Sequence, residues 1–156
     1  MAKLAEGKKA PGFNLPSTTG APISINDFIG KKNIVLYFYP KDDTPGCTKE
    51  ACSFQSEIKK LEKFEAVVLG VSAYSVESHK KFQKKYNLAF PLLSDEGKEM
   101  IKTYDVWKEK SMYGKKYMGI ERTTVVIDKK GVVRKVFPKV KVDGHSEEVL
   151  QALKEL

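Results

Sequence analysis

The chain has little of several things, and each shortage narrows the reading. Its 156 residues include two cysteines, Cys47 and Cys52, one tryptophan and two histidines. Two thiols cannot build the multi-bridge framework of a small secreted scaffold. His79 and His145 lie far apart, and neither has a cysteine or carboxylate at convincing metal-ligand spacing. Both read as packing or capping residues near helix starts. Arginine is equally scarce, with only Arg122 and Arg134. The net charge is +8, yet glutamates interrupt the lysines, as in Glu57 to Lys63, and no basic block is longer than a pair. That dispersal describes a solvated surface and argues against a nucleic-acid partner. No stretch approaches the ~20 apolar residues of a membrane span. Met1 to Lys9 lacks both the apolar core of a signal peptide and the Arg/Ser bias of a transit peptide, so the expected location is cytoplasmic. Two cysteines in a reducing compartment suit catalysis, burial or metal binding better than a permanent bridge. Repeats, low-complexity tracts and linkers are missing too. With 41% hydrophobic and 31% charged residues, residues 1–156 read as a single globular domain.

What is present gathers around one stretch. The apolar run Ile34-Val35-Leu36-Tyr37-Phe38-Tyr39 ends at Pro40. Lys41-Asp42-Asp43-Thr44-Pro45-Gly46-Cys47 then leads into a helix-period segment expected to run to about Phe64. Thr44 reads as an N-cap and Pro45 as the first helical residue, where a missing N–H does no harm. Cys47 falls in the first turn. Free backbone N–H groups and the helix dipole there favour the anionic, nucleophilic form of a thiol. Cys47, Ala51, Phe54, Ile58 and Leu61 share one helix face, which should meet the core. Cys52 lies five residues on, roughly 140° around the helix, and ~1.5 Å of rise per residue puts the two Cα atoms ~8–9 Å apart. A disulfide needs roughly 4.4–6.8 Å. On an intact helix these cysteines cannot bond; if they bond, the first turns unwind. Spacing alone leaves inert buried thiols open as an alternative.

The remaining chain orders itself around that strand and helix. Pro11, Pro16 and Pro22 allow only short strands near Phe13–Leu15 and Ile23–Ile25, an N-terminal hairpin extension. Asp27 to Gly30 suits one helical turn. Ala66 to Ser72 is a second apolar strand, completing a right-handed parallel βαβ unit. Ser75 can cap a helix to about Tyr86. A short extended piece at Phe90–Leu93 and a small helix from Glu96 to Tyr104 follow. Thr123–Asp128 and Val132–Phe137 pair around Lys129-Lys130-Gly131. A last helix spans Ser146–Leu156, with Val149, Leu150, Leu153 and Leu156 as its apolar stripe. This is an α/β order, a central mixed sheet flanked by helices, in the thioredoxin-like arrangement.

The residues also carry a family likeness. Pro40-x-x-x-Thr44-x-x-Cys47 resembles the peroxiredoxin active-site motif. With Cys52 five positions on, it resembles the PrxQ branch, also called bacterioferritin comigratory protein. Ser78-His79-Lys80-Lys81-Phe82, Phe90-Pro91-Leu92-Leu93-Ser94-Asp95, the segment from Tyr113 to Thr124 that contains Arg122, and Gly144-His145-x-Glu147-Glu148-Val149-Leu150 fit the same branch. The likeness covers roughly Gly7 to Leu156. One departure is Val125-Val126, where the family often has Phe-Leu or Phe-Val.

The resemblance implies a thiol peroxidase acting on hydrogen peroxide and organic hydroperoxides. It implies Cys47 as the attacking residue, oxidised to a sulfenic acid, and Cys52 as the resolving thiol of an intrachain disulfide. It sets Arg122 beside Cys47, on the next strand in the sheet, with Glu50 orienting it. Thr44 would hydrogen-bond peroxide and thiolate, the Gly46 and Cys47 N–H groups would donate, and Pro40 would shield the sulfur. A thioredoxin or glutaredoxin-like dithiol would recycle the enzyme. No metal, flavin or haem is called for, and a monomer is expected. Trp107, Met112, Tyr113, Tyr117 and Met118 either line the substrate entrance or simply pack at its rim. The rival chemistry, disulfide exchange of the thioredoxin type, sits badly with a C-x4-C spacing on an intact helix.

Overall fold

A computed structural model describes residues 4–156; Met1 to Lys3, part of the leader reading above, lie outside the described residues. Nine strands and five α-helices are described. They are β1 (Asn14–Leu15), β2 (Ile23–Ser24), β3 (Asn33–Phe38), α1 (Pro45–Ser56), α2 (Ile58–Lys63), β4 (Ala66–Ser72), α3 (Val76–Lys85), β5 (Leu92–Ser94), α4 (Glu99–Thr103), β6 (Trp107–Met112), β7 (Lys115–Ile120), β8 (Thr123–Ile127), β9 (Val133–Phe137) and α5 (His145–Lys154). The central sheet has the order β5-β4-β3-β8-β9. Strands β3, β4 and β5 run parallel, and β8 and β9 antiparallel to their neighbours. This is the thioredoxin-like α/β fold, with β1 and β2 as the N-terminal hairpin.

The continuous apolar run of β3 is explained by a covered sheet. Ile34, Leu36 and Phe38 enter one core cluster; Val35 and Tyr37, with Tyr39 beyond the strand, enter the other. The second cluster takes the buried faces of α1, α2, α3 and α5. The first is closed by α4, the N-terminal strands and Ile120. Helices thus lie on both faces, unequally. Gly70 makes room at the centre, because a Cβ there would stand 2.9 Å from the Tyr37 ring and 2.8 Å from Leu92. Tyr37 in turn packs on Phe54 of α1, ring centroids 4.9 Å apart.

Four expectations need correction. The helix expected from Thr44 to Phe64 is two helices, broken at Glu57 (φ −101°, ψ 8°). The Ser56 hydroxyl donates to the Ser53 carbonyl, and such back-bonding bends a helix. The small helix begins at Glu99, after Lys98 in the left-handed region at φ 62°. Leu156 is exposed, beyond the end of α5, so the stripe closes at Leu153. The β6–β7 hairpin was not foreseen. Its strands are rich in Lys and Glu, poor strand formers, and its turn is Tyr113-Gly114 where Asn-Gly would have been the clear signal. Both turn residues have positive φ, 53° and 76°, as a two-residue turn of type I′ requires.

Candidate active site

The site forms where β3 ends and α1 begins. Parallel packing of β3 against β4 fixes the strand, so the chain leaving Phe38 delivers α1 N-terminus first to the sheet's carboxyl edge. Thr44 occupies the cap position in extended geometry (φ −94°, ψ 156°), and Pro45 opens the helix as expected. The Thr44 hydroxyl does not cap it. Instead Oγ1 donates to the Lys41 carbonyl at 3.0 Å. The expected bond from Thr44 to the thiol is therefore replaced by one inside the loop. The hydroxyl proton is spent there, and its lone pairs remain as acceptors. The first-turn N–H groups of Gly46 and Cys47 stay without a side-chain cap.

Cys47 is 1% exposed on the core face with Ala51, Phe54 and Leu61, whereas Ile58 is only half-buried. Cys52 is exposed on the same unbroken helix, and both thiols are free. Arg122 comes from far along the chain. Its Nη2 lies 3.4 Å from Cys47 Sγ, and its Nη1 donates to Glu50 Oε1 at 2.7 Å. It sits in the short link between β7 and β8, one residue ahead of the strand on which it was expected. Antiparallel pairing of β8 with β3 sets Thr123 opposite Phe38, which carries the preceding residue to the mouth of α1. Gly46 admits the guanidinium, for a Cβ there would meet Nη2 at 3.1 Å.

Electrostatics follow from burial. Glu50 is 1% exposed, and desolvation pushes its carboxyl up to about 7 against the pull of Arg122. Its second oxygen, Oε2, is buried with no hydrogen-bond partner. Burial works against the charge on Arg122, but the attractions of Glu50 and of Cys47 outweigh it and hold the guanidinium above its ordinary range.

Next to the site is a cavity of about 340 Å³ lined by Pro40, Lys41, Tyr74, Trp107, Tyr117, Met118 and Ile120, among others. Trp107, Tyr117 and Met118 thus line it together with Pro40. Met112 and Tyr113 do not line it; Tyr113 is 98% exposed at the hairpin tip. Lys110 also lines it and was missed from sequence. Burial lowers its ammonium from the usual lysine range, and the Arg122 charge adds to that. Only the β6–β7 pairing, which sets Lys110 opposite Tyr117, reveals it. His145 opens α5 and packs edge-on against Phe54 and Phe137, with Nε2 2.7 Å from Thr124 Oγ1. Among the described residues no cluster of three His, Cys, Asp or Glu suits a metal, and no helix is long and apolar enough to cross a membrane.

A first-turn cysteine under an arginine fixed by a buried carboxylate, on this fold, defines a thiol-based peroxidase. The AhpC/TSA family model matches residues 6–136, and the chain belongs to that family, within its Bcp/PrxQ peroxiredoxins. It is 54% identical over 147 residues to a protein called putative peroxiredoxin bcp of Coxiella burnetii, covering 94% of this chain and 97% of that one. Against peroxiredoxin Bcp of Bacillus subtilis it is 49% identical over 150 residues, with 96% and 95% covered. Among solved structures, a PrxQ of Xylella fastidiosa superposes with TM-score 0.92 at 37% identity, covering 99% of this chain and 98% of that one. The bacterioferritin comigratory protein of Xanthomonas campestris, whose structures are described in terms of alkyl peroxide reduction, gives TM-score 0.86 at 43% identity, covering 92% and 90%.

Proposed function

We propose that the Cys47 thiolate attacks the outer oxygen of a hydroperoxide. A sulfur–oxygen bond forms as the oxygen–oxygen bond breaks, leaving a sulfenic acid on Cys47 and water or an alcohol once the departing oxygen is protonated. The observation that carries the reading is the 3.4 Å contact of Arg122 Nη2 with the sulfur at an uncapped helix N-terminus. Guanidinium and N–H groups together stabilise negative charge developing on the oxygens. Thr44, its proton committed to Lys41, accepts the hydroperoxide O–H. Pro40 screens the sulfur from bulk water. Hydrogen peroxide and organic hydroperoxides are both substrates in this reading. The apolar cavity beside Pro40 and the alkyl peroxide chemistry of the Xanthomonas relative support the organic ones.

Cys52 then attacks the sulfenic sulfur, expelling water and closing an intrachain disulfide. Because α1 is intact across both cysteines, its first turns unwind for this step. A thioredoxin or glutaredoxin-like dithiol reduces the bond and is itself oxidised. Such recycling suits a reducing, cytoplasmic setting.

The test is stopped-flow oxidation of the reduced protein by hydrogen peroxide, with mass spectrometry of the product. Cys47→Ser is expected to abolish turnover and the wild type to gain one intrachain Cys47–Cys52 bond. A wild-type rate no faster than free cysteine would overturn the reading.

A further inference from the structure

The loop between β3 and α1 holds two consecutive aspartates, Asp42 and Asp43, and both are gripped by α3. Asp42 is buried, with 9% exposure, which is rare for an acid in a connecting loop. Its Oδ1 accepts from Tyr39 Oη at 2.6 Å, and its Oδ2 accepts from Ser78 Oγ at 2.7 Å. The same Oδ2 stands 2.6 Å from His79 Nδ1. The opposite ring nitrogen, His79 Nε2, is 3.0 Å from the Leu93 carbonyl, which can only accept. These bonds outweigh the burial penalty and hold the Asp42 carboxyl below its ordinary value, so it too is an acceptor. The fully buried His79 ring thus bridges the Asp42 carboxylate and the Leu93 carbonyl. Asp43, in the left-handed region at φ 58°, accepts from Tyr86 Oη at 2.5 Å and Lys85 Nζ at 2.8 Å. The residues after Cys47 are tied to other parts of the fold and not to α3: Glu50 pairs with Arg122, Lys49 pairs with Asp143 on the surface, and Cys52 is exposed.

We infer that Asp42 is a positioning residue: through Tyr39, Ser78 and His79 it pins the Pro40–Thr44 loop to α3, holding Thr44 and Pro40 in place while the turns carrying Cys47 and Cys52 unwind. The inference rests on Cys47 being the residue that attacks the peroxide. Two demands meet at one point of the chain. The loop must present its acceptor at a fixed place, yet the helix it feeds must open once in every cycle. Asp42 draws the boundary between them, because its partners lie at the residue just after β3 and on α3, and none lies on α1.

The test uses Asp42→Asn, which keeps shape and removes the charge, and Ser78→Ala as a milder change that keeps the fold. Two rates are measured on Cys47: sulfenic acid formation by hydrogen peroxide, and alkylation by iodoacetamide, which needs the thiolate but no peroxide geometry. Asp42→Asn is expected to slow peroxide oxidation about 10- to 100-fold, the size of effect a displacement of about 1 Å produces. Alkylation should change less than about threefold, and Ser78→Ala should fall between wild type and Asp42→Asn in the ratio of the two rates. Two outcomes overturn the inference: peroxide and alkylation rates that fall in parallel, as a merely structural role predicts, or a folded Asp42→Asn with wild-type peroxide reactivity. If the wild type is oxidised elsewhere than at Cys47, the parent reading falls and this one falls with it.

Discussion

At the scale of single residues, the site turns on one arginine and how it is held. Arg122 spends one arm on Cys47 and the other on Glu50, and Glu50 answers with only one of its two oxygens. A carboxylate kept ionised in that setting strains against its own burial. Its folded-state value of about 7 stands above the ordinary 4.5. Between those values the folded chain keeps a proton that the unfolded chain has released. Stability therefore falls as pH rises from 4.5 to about 7 and levels off above, by about 3 kcal/mol at most. Chemical denaturation of wild type and Glu50→Gln across that range checks this: the slope should be missing from the variant. Glu50→Gln should also slow oxidation by peroxide by about tenfold, since a neutral amide holds the guanidinium less firmly.

At the scale of elements, α1 carries Cys47 on its buried face and Cys52 on its exposed face. Its buried residues are Cys47, Glu50, Ala51 and Phe54, and it ends at Ser56, separated from α2 by the break at Glu57. A short helix bounded in this way can open without dragging its neighbour. Peroxide treatment should speed amide exchange across residues 47–52 and leave β3 and β4 protected. An unchanged exchange pattern in a fully oxidised sample would contradict the unwinding step. Cys52→Ser should accumulate sulfenic acid at Cys47, with dithiol-coupled turnover reduced by roughly two orders of magnitude once the intramolecular partner is lost.

At the scale of the whole molecule, both thiols lie on one helix of one chain, so the proposed cycle calls for no second copy. Size-exclusion profiles should match before and after oxidation, and the yield of the Cys47–Cys52 bond should not depend on protein concentration. A disulfide-linked dimer growing with concentration would show that resolution crosses chains. The same scale explains the limits of sequence reading. The β3-α1-β4 unit was legible because its strands are unbroken apolar runs and its helix start carries Thr44-Pro45. Ser75 was legible as the cap of α3, and its side chain does accept from Ser78 N. The β6–β7 hairpin was not, because its charged strands have no alternation a core would impose; with it went Lys110 and the true membership of the cavity wall.

The sequence by itself determined the stretch around its two cysteines: a thiol in a helix's first turn, a second thiol on another face, and hence that any bond between them demands unwinding. Those are local matters of spacing and capping, and 1.5 Å of rise per residue decides them. Only the tertiary structure decided what surrounds that thiol. The antiparallel return of β8 brings Arg122 across 75 residues of chain to the sulfur. The same folding turns the Thr44 hydroxyl back onto its own loop and ties Asp42 to α3. Such contacts depend on which strand lies beside which, and no local spacing encodes that.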